Sequence, residues 1–220
     1  MKKLVAAMLC LALSLMCAVG LANEKIDPSE LQIGVIMIGD TSDMGFNYSH
    51  LVGLQEMQKN LGIEDHQITI LENVADDSTC ADAISELISN GCNVIIGNSF
   101  GFQTYMYEAA AQHPEVLFCH YSGLLQNDTN FCRFNARNYQ TRYLQGIAAA
   151  MRSESGKIGF VGAFKNAEVN VSLNAYALGA QSVNPDVTVY VKYTNSWYDP
   201  TGERQAAEAL LDQGCDVIAQ

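Results

Sequence analysis

Leu31-Gln32-Ile33-Gly34-Val35-Ile36-Met37-Ile38, closed at once by Gly39-Asp40, is the stretch on which the fold turns. A short run that is apolar at nearly every position suits a strand buried on both faces, as in a parallel sheet, rather than one half-exposed to water. Downstream, residues 47–61 read as a helix, with Leu51, Leu54, Met57 and Leu61 along one side and Gly62 as the stop. Residues 67–74 form a second strand. Asp76-Asp77-Ser78 supplies N-cap chemistry for a helix that runs through Leu87 and Ile88 and closes at Asn90-Gly91. Residues 93–97 follow as a strand, 104–112 as a helix stopped by Pro114, 116–121 as a strand and 131–135 as a fifth strand. Strand–helix alternation at this spacing predicts a parallel sheet with helices on both faces.

The pattern then restarts. Helices are expected over 139–152, 168–183 and 201–213, and strands over 157–163, 187–193 and 216–219. The expected organisation is a signal segment at 1–22, an N-terminal α/β lobe at 23–136 and a second α/β lobe at 137–220. With only three strands, and an end at Gln220 where a ligand loop should begin, the second lobe is expected to be incomplete.

Lys2 and Lys3 precede an apolar run over 4–20 and the small residues of Gly20-Leu21-Ala22. That order of parts is a secretory signal peptide cut before Asn23; an uncleaved anchor is the alternative. Cys10 and Cys17 follow Leu9 and Met16, which suits a lipid anchor poorly. Export places the protein in the periplasm or on the outer face of the membrane. The formal charge is −12, and loss of Lys2 and Lys3 makes it two units more negative. Such a surface repels phosphate backbones, excluding nucleic acid as a partner and favouring a neutral or cationic small molecule. Five cysteines remain beyond the signal, with no CxxC and no Cys/His set at zinc spacing. Cys119 and Cys132 fall on strands that can be neighbours and so can pair; buried free thiols are the other reading.

In parallel α/β sheets ligands bind beyond the carboxyl ends of the strands. The loops there carry aromatics (Phe46, Phe100, Phe102, Trp197, Tyr198) beside carboxylates, amides and a hydroxyl (Asp43, Asn47, Asn98, Ser99, Asn195, Asp199). A flat heterocycle needs ring faces to stack on, each worth roughly 1–3 kcal/mol in nucleic-acid sites, and polar groups to read its edge. Loop-base packing for the aromatics and helix capping for Asp and Asn are the competing explanations. No nucleophile–base pair suggests catalysis. Cys119 and His120 are adjacent on a strand and point to opposite faces, and there is no GxSxG, phosphate loop or GxGxxG. No metal or cofactor is expected.

Four stretches resemble the basic membrane protein (BMP) family of ABC-transporter substrate-binding proteins, which includes purine nucleoside receptors. Asp43-Met44-Gly45-Phe46-Asn47-Tyr48-Ser49 is similar to its D-x-x-F-N-x-S motif, and Gly97-Asn98-Ser99-Phe100 to its aromatic turn after the third strand. Arg142-Tyr143-Leu144-Gln145-Gly146-Ile147-Ala148-Ala149 resembles the opening of the family's second lobe. Asn195-Ser196-Trp197-Tyr198-Asp199-Pro200 with Gly214-Cys215-Asp216-Val217-Ile218-Ala219-Gln220 resembles its W-x-D-P…G-x-D-V-I-x-Q run. The resemblance implies a type I periplasmic-binding-protein fold, monomeric, closing on a purine nucleoside or base and delivering it to an ABC permease. By carry-over, Phe46 and Phe100 sandwich the base, Asp43 and Asn47 read its edge, and Trp197 packs from the second lobe. Gly162-Ala163-Phe164-Lys165 departs from the family's Gly-Gly, so Phe164, Asn166 and Glu168 are expected to reshape the pocket and to admit a free base. A nucleoside-processing enzyme or an exported ligand sensor on the same fold is the alternative.

Overall fold

The computed structural model describes residues 26–220. The expected signal segment, and the cut before Asn23, lie outside those residues. The described residues form eight strands and six α-helices, in the order β1 (Ile33–Ile36), α1 (Phe46–Leu61), β2 (Ile68–Leu71), α2 (Ser78–Ser89), β3 (Val94–Gly97), α3 (Gln103–Gln112), β4 (Leu117–Tyr121), β5 (Phe131–Phe134), α4 (Asn138–Arg152), β6 (Lys157–Gly162), α5 (Ala167–Val183), β7 (Thr188–Tyr193), α6 (Pro200–Asp212) and β8 (Val217–Ala219). Each expected element is present, the strands trimmed by a residue or more where the ladder stops short of the apolar run.

The strands form two all-parallel sheets, ordered β2-β1-β3-β4-β5 and β7-β6-β8. The first strand shows why its sequence lacks alternation. Ile33, Val35 and Met37 pack under α1 with Leu54 and Ile63, while Ile36 faces α2 and α3 with Ile84, Leu87 and Met106. Both faces are covered, so both sets of positions must be apolar. Helix α2 buries Cys80, Ala83, Ile84 and Leu87, the i, i+3, i+4, i+7 stripe of an amphipathic helix. Each large side chain buried in this way contributes about 1.5–3 kcal/mol.

The second sheet is covered likewise. Ile158 and Phe160 pack with Ala149, Tyr176 and Ala180 of α4 and α5, and Val161 packs with Leu210 of α6 on the opposite face. In the first sheet the chain runs from β1 outward to β2 and then returns to β3 on the other side of β1. In the second it does the same around β6. Each sheet therefore has a strand-order reversal, and the crevice outside such a reversal is where ligands bind in open α/β sheets.

Candidate ligand-binding cleft

The loops at these two reversals face each other across one broad cavity of about 1310 Å³. That exceeds the roughly 300–1,000 Å³ of ordinary ligand pockets, so the space is an open cleft rather than a closed chamber. Phe46, Phe100 and Trp197 all line it. So do Asp43, Asn47, Ser99 and Asn195. Two residues singled out from the sequence are placed elsewhere. Phe102 is fully buried in the core with Met106 and Phe118, because the 3-10 turn Phe100–Phe102 aims its third side chain back under the sheet. Asp199 caps α6, accepting from the Gly202 N–H at 3.0 Å.

The turn after β1 is held by its own polar side chains. One Asp43 oxygen accepts the N–H groups of Gly45 (2.9 Å) and Tyr48 (3.0 Å); the other accepts the Asn47 N–H (2.8 Å) and the Asn47 amide (3.0 Å). Burial opposes ionisation of Asp43, but the donors of Gly45, Tyr48 and Asn47 outweigh it and hold its pKa below the ordinary carboxylate value. The buried Asn47 oxygen in turn accepts from Asn98 Nδ2 (2.8 Å), and Asn98 Oδ1 accepts the Ile38 N–H (3.0 Å). A relay Asp43–Asn47–Asn98 thus joins the loops after β1 and β3. Both residues expected to read a ligand's edge are committed here to shaping the turn that presents Phe46. Phe46 opens α1, is 42% exposed, and stands edge-on to His50 and Tyr121 at centroid distances of 4.7 and 5.7 Å.

Other polar groups occupy the cleft. Asp77, not Asp76, caps α2, accepting the Thr79 N–H at 2.8 Å. Asp76 is thereby turned into the cleft, where its Oδ2 accepts the Trp197 indole N–H at 2.9 Å. Its carboxylate lies where a Cβ on Gly101 would sit, 2.3–2.6 Å from that point, so the bare backbone of Gly101 makes room for it. Glu168, in the first turn of α5, accepts from the Ser122 hydroxyl at 2.8 Å. These two bonds tie the first sheet's loops to the second's. His120 is fully buried; its Nε2 meets the Ser99 carbonyl at 2.7 Å and its Nδ1 has no partner among the described residues. Arg142 donates to Gln145 Oε1 at 2.9 Å and to the Gln220 carbonyl, which binds the start of α4 to the end of β8.

Desolvation raises the pKa of Glu168, against the Ser122 bond and with help from Asp76; desolvation likewise raises that of Asp76, against its bonds to Ser99 and Trp197. The folded state therefore holds these protons more tightly than the unfolded chain. Stability from this source is present at low pH and is lost as pH rises from the ordinary glutamate value of 4.5 through the raised one. Glu168→Gln keeps an acceptor for Ser122 and removes the ionisation. The unliganded variant should melt a few degrees higher than wild type at pH 7, and the difference should vanish near pH 4. Thermal melts across that range check it; a lower melting temperature at pH 7 would contradict the assignment.

Two parallel-sheet lobes that share a cleft at their strand-order reversals have the fold of periplasmic-type solute-binding proteins. The chain belongs to the Bmp family, described as ABC transporter substrate-binding protein PnrA-like, which it matches over residues 30–220. It is 40% identical over 199 residues to a purine-binding protein of Brucella abortus, covering 90% of this chain and 55% of the relative. It is 39% identical over 186 residues to a putative ABC transporter glucose-binding protein of Haloferax volcanii, covering 84% of this chain and 46% of that one. Among solved structures, an ABC transporter solute-binding protein from Aeropyrum pernix superposes with a TM-score of 0.74 at 21% identity, over 86% of this chain and 54% of that one. The chain spans about half the length of the curated relatives it matches. Members of this family are ABC-transporter substrate-binding proteins. Among the described residues no helix is long and apolar enough to cross a membrane.

Proposed function

We propose that this chain is the ligand-capturing part of an exported receptor that holds a purine nucleoside or purine base and delivers it to an ABC permease. The observation that carries the reading is the convergence of Phe46, Phe100 and Trp197 on one cleft from loops after three different strands. In this reading the rings grip the flat faces of the base. Ser99, Asn195, Asp76 and Glu168 face its edge, while Asp43 and Asn47 hold Phe46 in place. The carboxylates accept N–H and O–H donors and repel phosphate, so a base or nucleoside fits and a nucleotide does not. The lobes meet near Arg137 and hinge shut on the ligand. The purine-binding name of the Brucella abortus relative and the nucleoside-binding name of a Lactococcus lactis relative, 28% identical, support the ligand class.

A sugar is the second reading, favoured by the glucose-binding name of the Haloferax volcanii relative at nearly the same identity. Aromatic faces and carboxylates also suit a sugar. A thermal-shift panel of the full-length exported protein decides between them, with bases, nucleosides, nucleotides, glucose and amino acids each at high excess. A ligand at about 100 times its Kd stabilises by roughly 2.7 kcal/mol, a shift of several degrees. Purines should give it and nucleotides should not. A shift with glucose alone would overturn the purine reading.

A further inference from the structure

Five of the seven cysteines lie among the described residues, and their surroundings differ. Cys80, Cys92 and Cys215 are each buried. Cys119 and Cys132 are different: they are cross-strand partners on β4 and β5, in register. Their sulfurs lie 3.5 Å apart although the residues are thirteen positions apart in sequence. Cys132 is exposed and Cys119 half-buried. From this geometry we infer that Cys119 and Cys132 form a disulfide in the exported protein, clamping the edge strand β5 to the sheet.

Hydrogen-bonded neighbouring strands lie about 4.7–4.9 Å apart, inside the roughly 4.4–6.8 Å between Cα atoms that a disulfide spans. The sulfurs need close only from 3.5 Å to about 2.05 Å, a distance that side-chain rotation can supply. The inference rests on the export in the proposed function, which places the pair in an oxidising compartment where disulfides persist.

The chemistry balances with a protein or small-molecule disulfide as oxidant. The Cys132 thiolate, exposed and first to be reached, attacks one sulfur of that oxidant and releases the other as a thiolate. The Cys119 sulfur then attacks Cys132, forming the Cys119–Cys132 bond and expelling the oxidant's remaining sulfur. Two electrons pass to the oxidant, whose two sulfurs leave as thiols carrying the two protons that the cysteines lose. Burial pushes the Cys119 thiol up to about 12. A neutral disulfide bears no such desolvation cost, so burial favours the bonded pair over a buried thiolate.

The position gives the bond a structural role. Among the described residues β5 pairs only with β4, at the sheet's edge. Its last residue, Phe134, accepts the N–H of Ser122, the residue whose hydroxyl reaches Glu168 across the cleft. From that same end the chain crosses to α4, where Asn138 donates to the Tyr121 hydroxyl at 2.8 Å. A covalent clamp would brace the strand from which the connection to the second sheet departs.

The test is differential alkylation and peptide mapping of the full-length exported protein, purified without reductant and denatured before labelling. Cys119 and Cys132 should resist alkylation until reduced and should appear as one cross-linked peptide, with an intact mass about 2 Da below the reduced form, the two hydrogens lost on oxidation. Reductant should lower the wild-type melting temperature by about 5 °C or more, and Cys132→Ser should abolish that dependence. The inference fails if both thiols alkylate before reduction even after incubation with oxidised glutathione. It also fails if either cysteine is found bridged elsewhere, or if the melting temperature of wild type ignores reductant.

Discussion

Trp197→Ala should weaken purine binding by about 100-fold or more, read by titration calorimetry on the full-length protein. The ring supplies a stacking face worth roughly 1–3 kcal/mol. Its indole N–H also donates to Asp76 across the cleft at 2.9 Å, and a hydrogen bond to a charged acceptor is worth about 1.5–3 kcal/mol. The two contributions act on the same closed state, so they reinforce each other there rather than adding simply. Phe164 supports the indole from the same side, edge-on at a centroid distance of 5.0 Å. Trp197→Phe separates the two effects: it retains a ring face and deletes the donor, so its loss should be closer to tenfold. Phe46→Ala should cost over tenfold, because it removes a ring face from the opposite wall. Affinity in Trp197→Ala within a few-fold of wild type would mean that the ring does not touch the ligand.

Gly146→Ala or Gly179→Ala should destabilise the protein by about 3 kcal/mol or more, the largest stability effect expected of any methyl group here. On an exposed helix the same change gains about 1 kcal/mol, since alanine is the better helix former. The sign reverses because α4 and α5 touch backbone to backbone. A Cβ on Gly146 would lie 2.0 Å from the Tyr176 carbonyl oxygen, and one on Gly179 would lie 2.0 Å from that of Tyr143. No rotamer relieves a clash between a Cβ and a main-chain oxygen. The helices must part by more than an ångström, and Ala149, Ala150, Tyr176 and Ala180 lose their close packing between them and the sheet. Urea unfolding measures the change; an unchanged or raised midpoint would show that the helices do not cross at these glycines.

Both expectations depend on contacts that differ in how visible they are in a string of residues. The elements themselves were legible. β1 read as doubly buried because it lacks alternation, α1 stopped at Gly62, and α2 was bounded by the Asp76-Asp77-Ser78 cap and by Asn90-Gly91. These are consequences of local periodicity, and local periodicity is carried by neighbouring residues. The cleft aromatics Phe46, Phe100 and Trp197 were legible for a similar reason, since each stands in a loop at the carboxyl end of a strand.

The polar groups were harder. Asp76 and Asp77 look equivalent as caps, but only one residue can occupy the N-cap, and the backbone at Asp77 takes that place. Asp76 then points at Trp197, 121 positions away. Phe100 and Phe102 share one turn, yet one lines the cleft and the other is buried in the core. Glu168 stands out in the sequence only as a departure from the family pattern, with nothing to indicate its bond to Ser122. Asp43 and Asn47 carry a ligand-reading motif in appearance, while their hydrogen-bonding capacity is spent on the turn and on Asn98.

The amino-acid order by itself determined the class of architecture, the order of strands and helices and the loops that could meet a ligand, because burial on two faces and helix caps leave marks within a few residues. Only the tertiary structure decided which side chain of a loop faces the cleft, which carboxylates bridge the sheets and how near the sulfurs of Cys119 and Cys132, the pair offered by the sequence, come to each other. Those outcomes depend on the register of parallel strands and on the approach of one sheet to another. Both are set by packing between segments remote in sequence, and no local pattern encodes them.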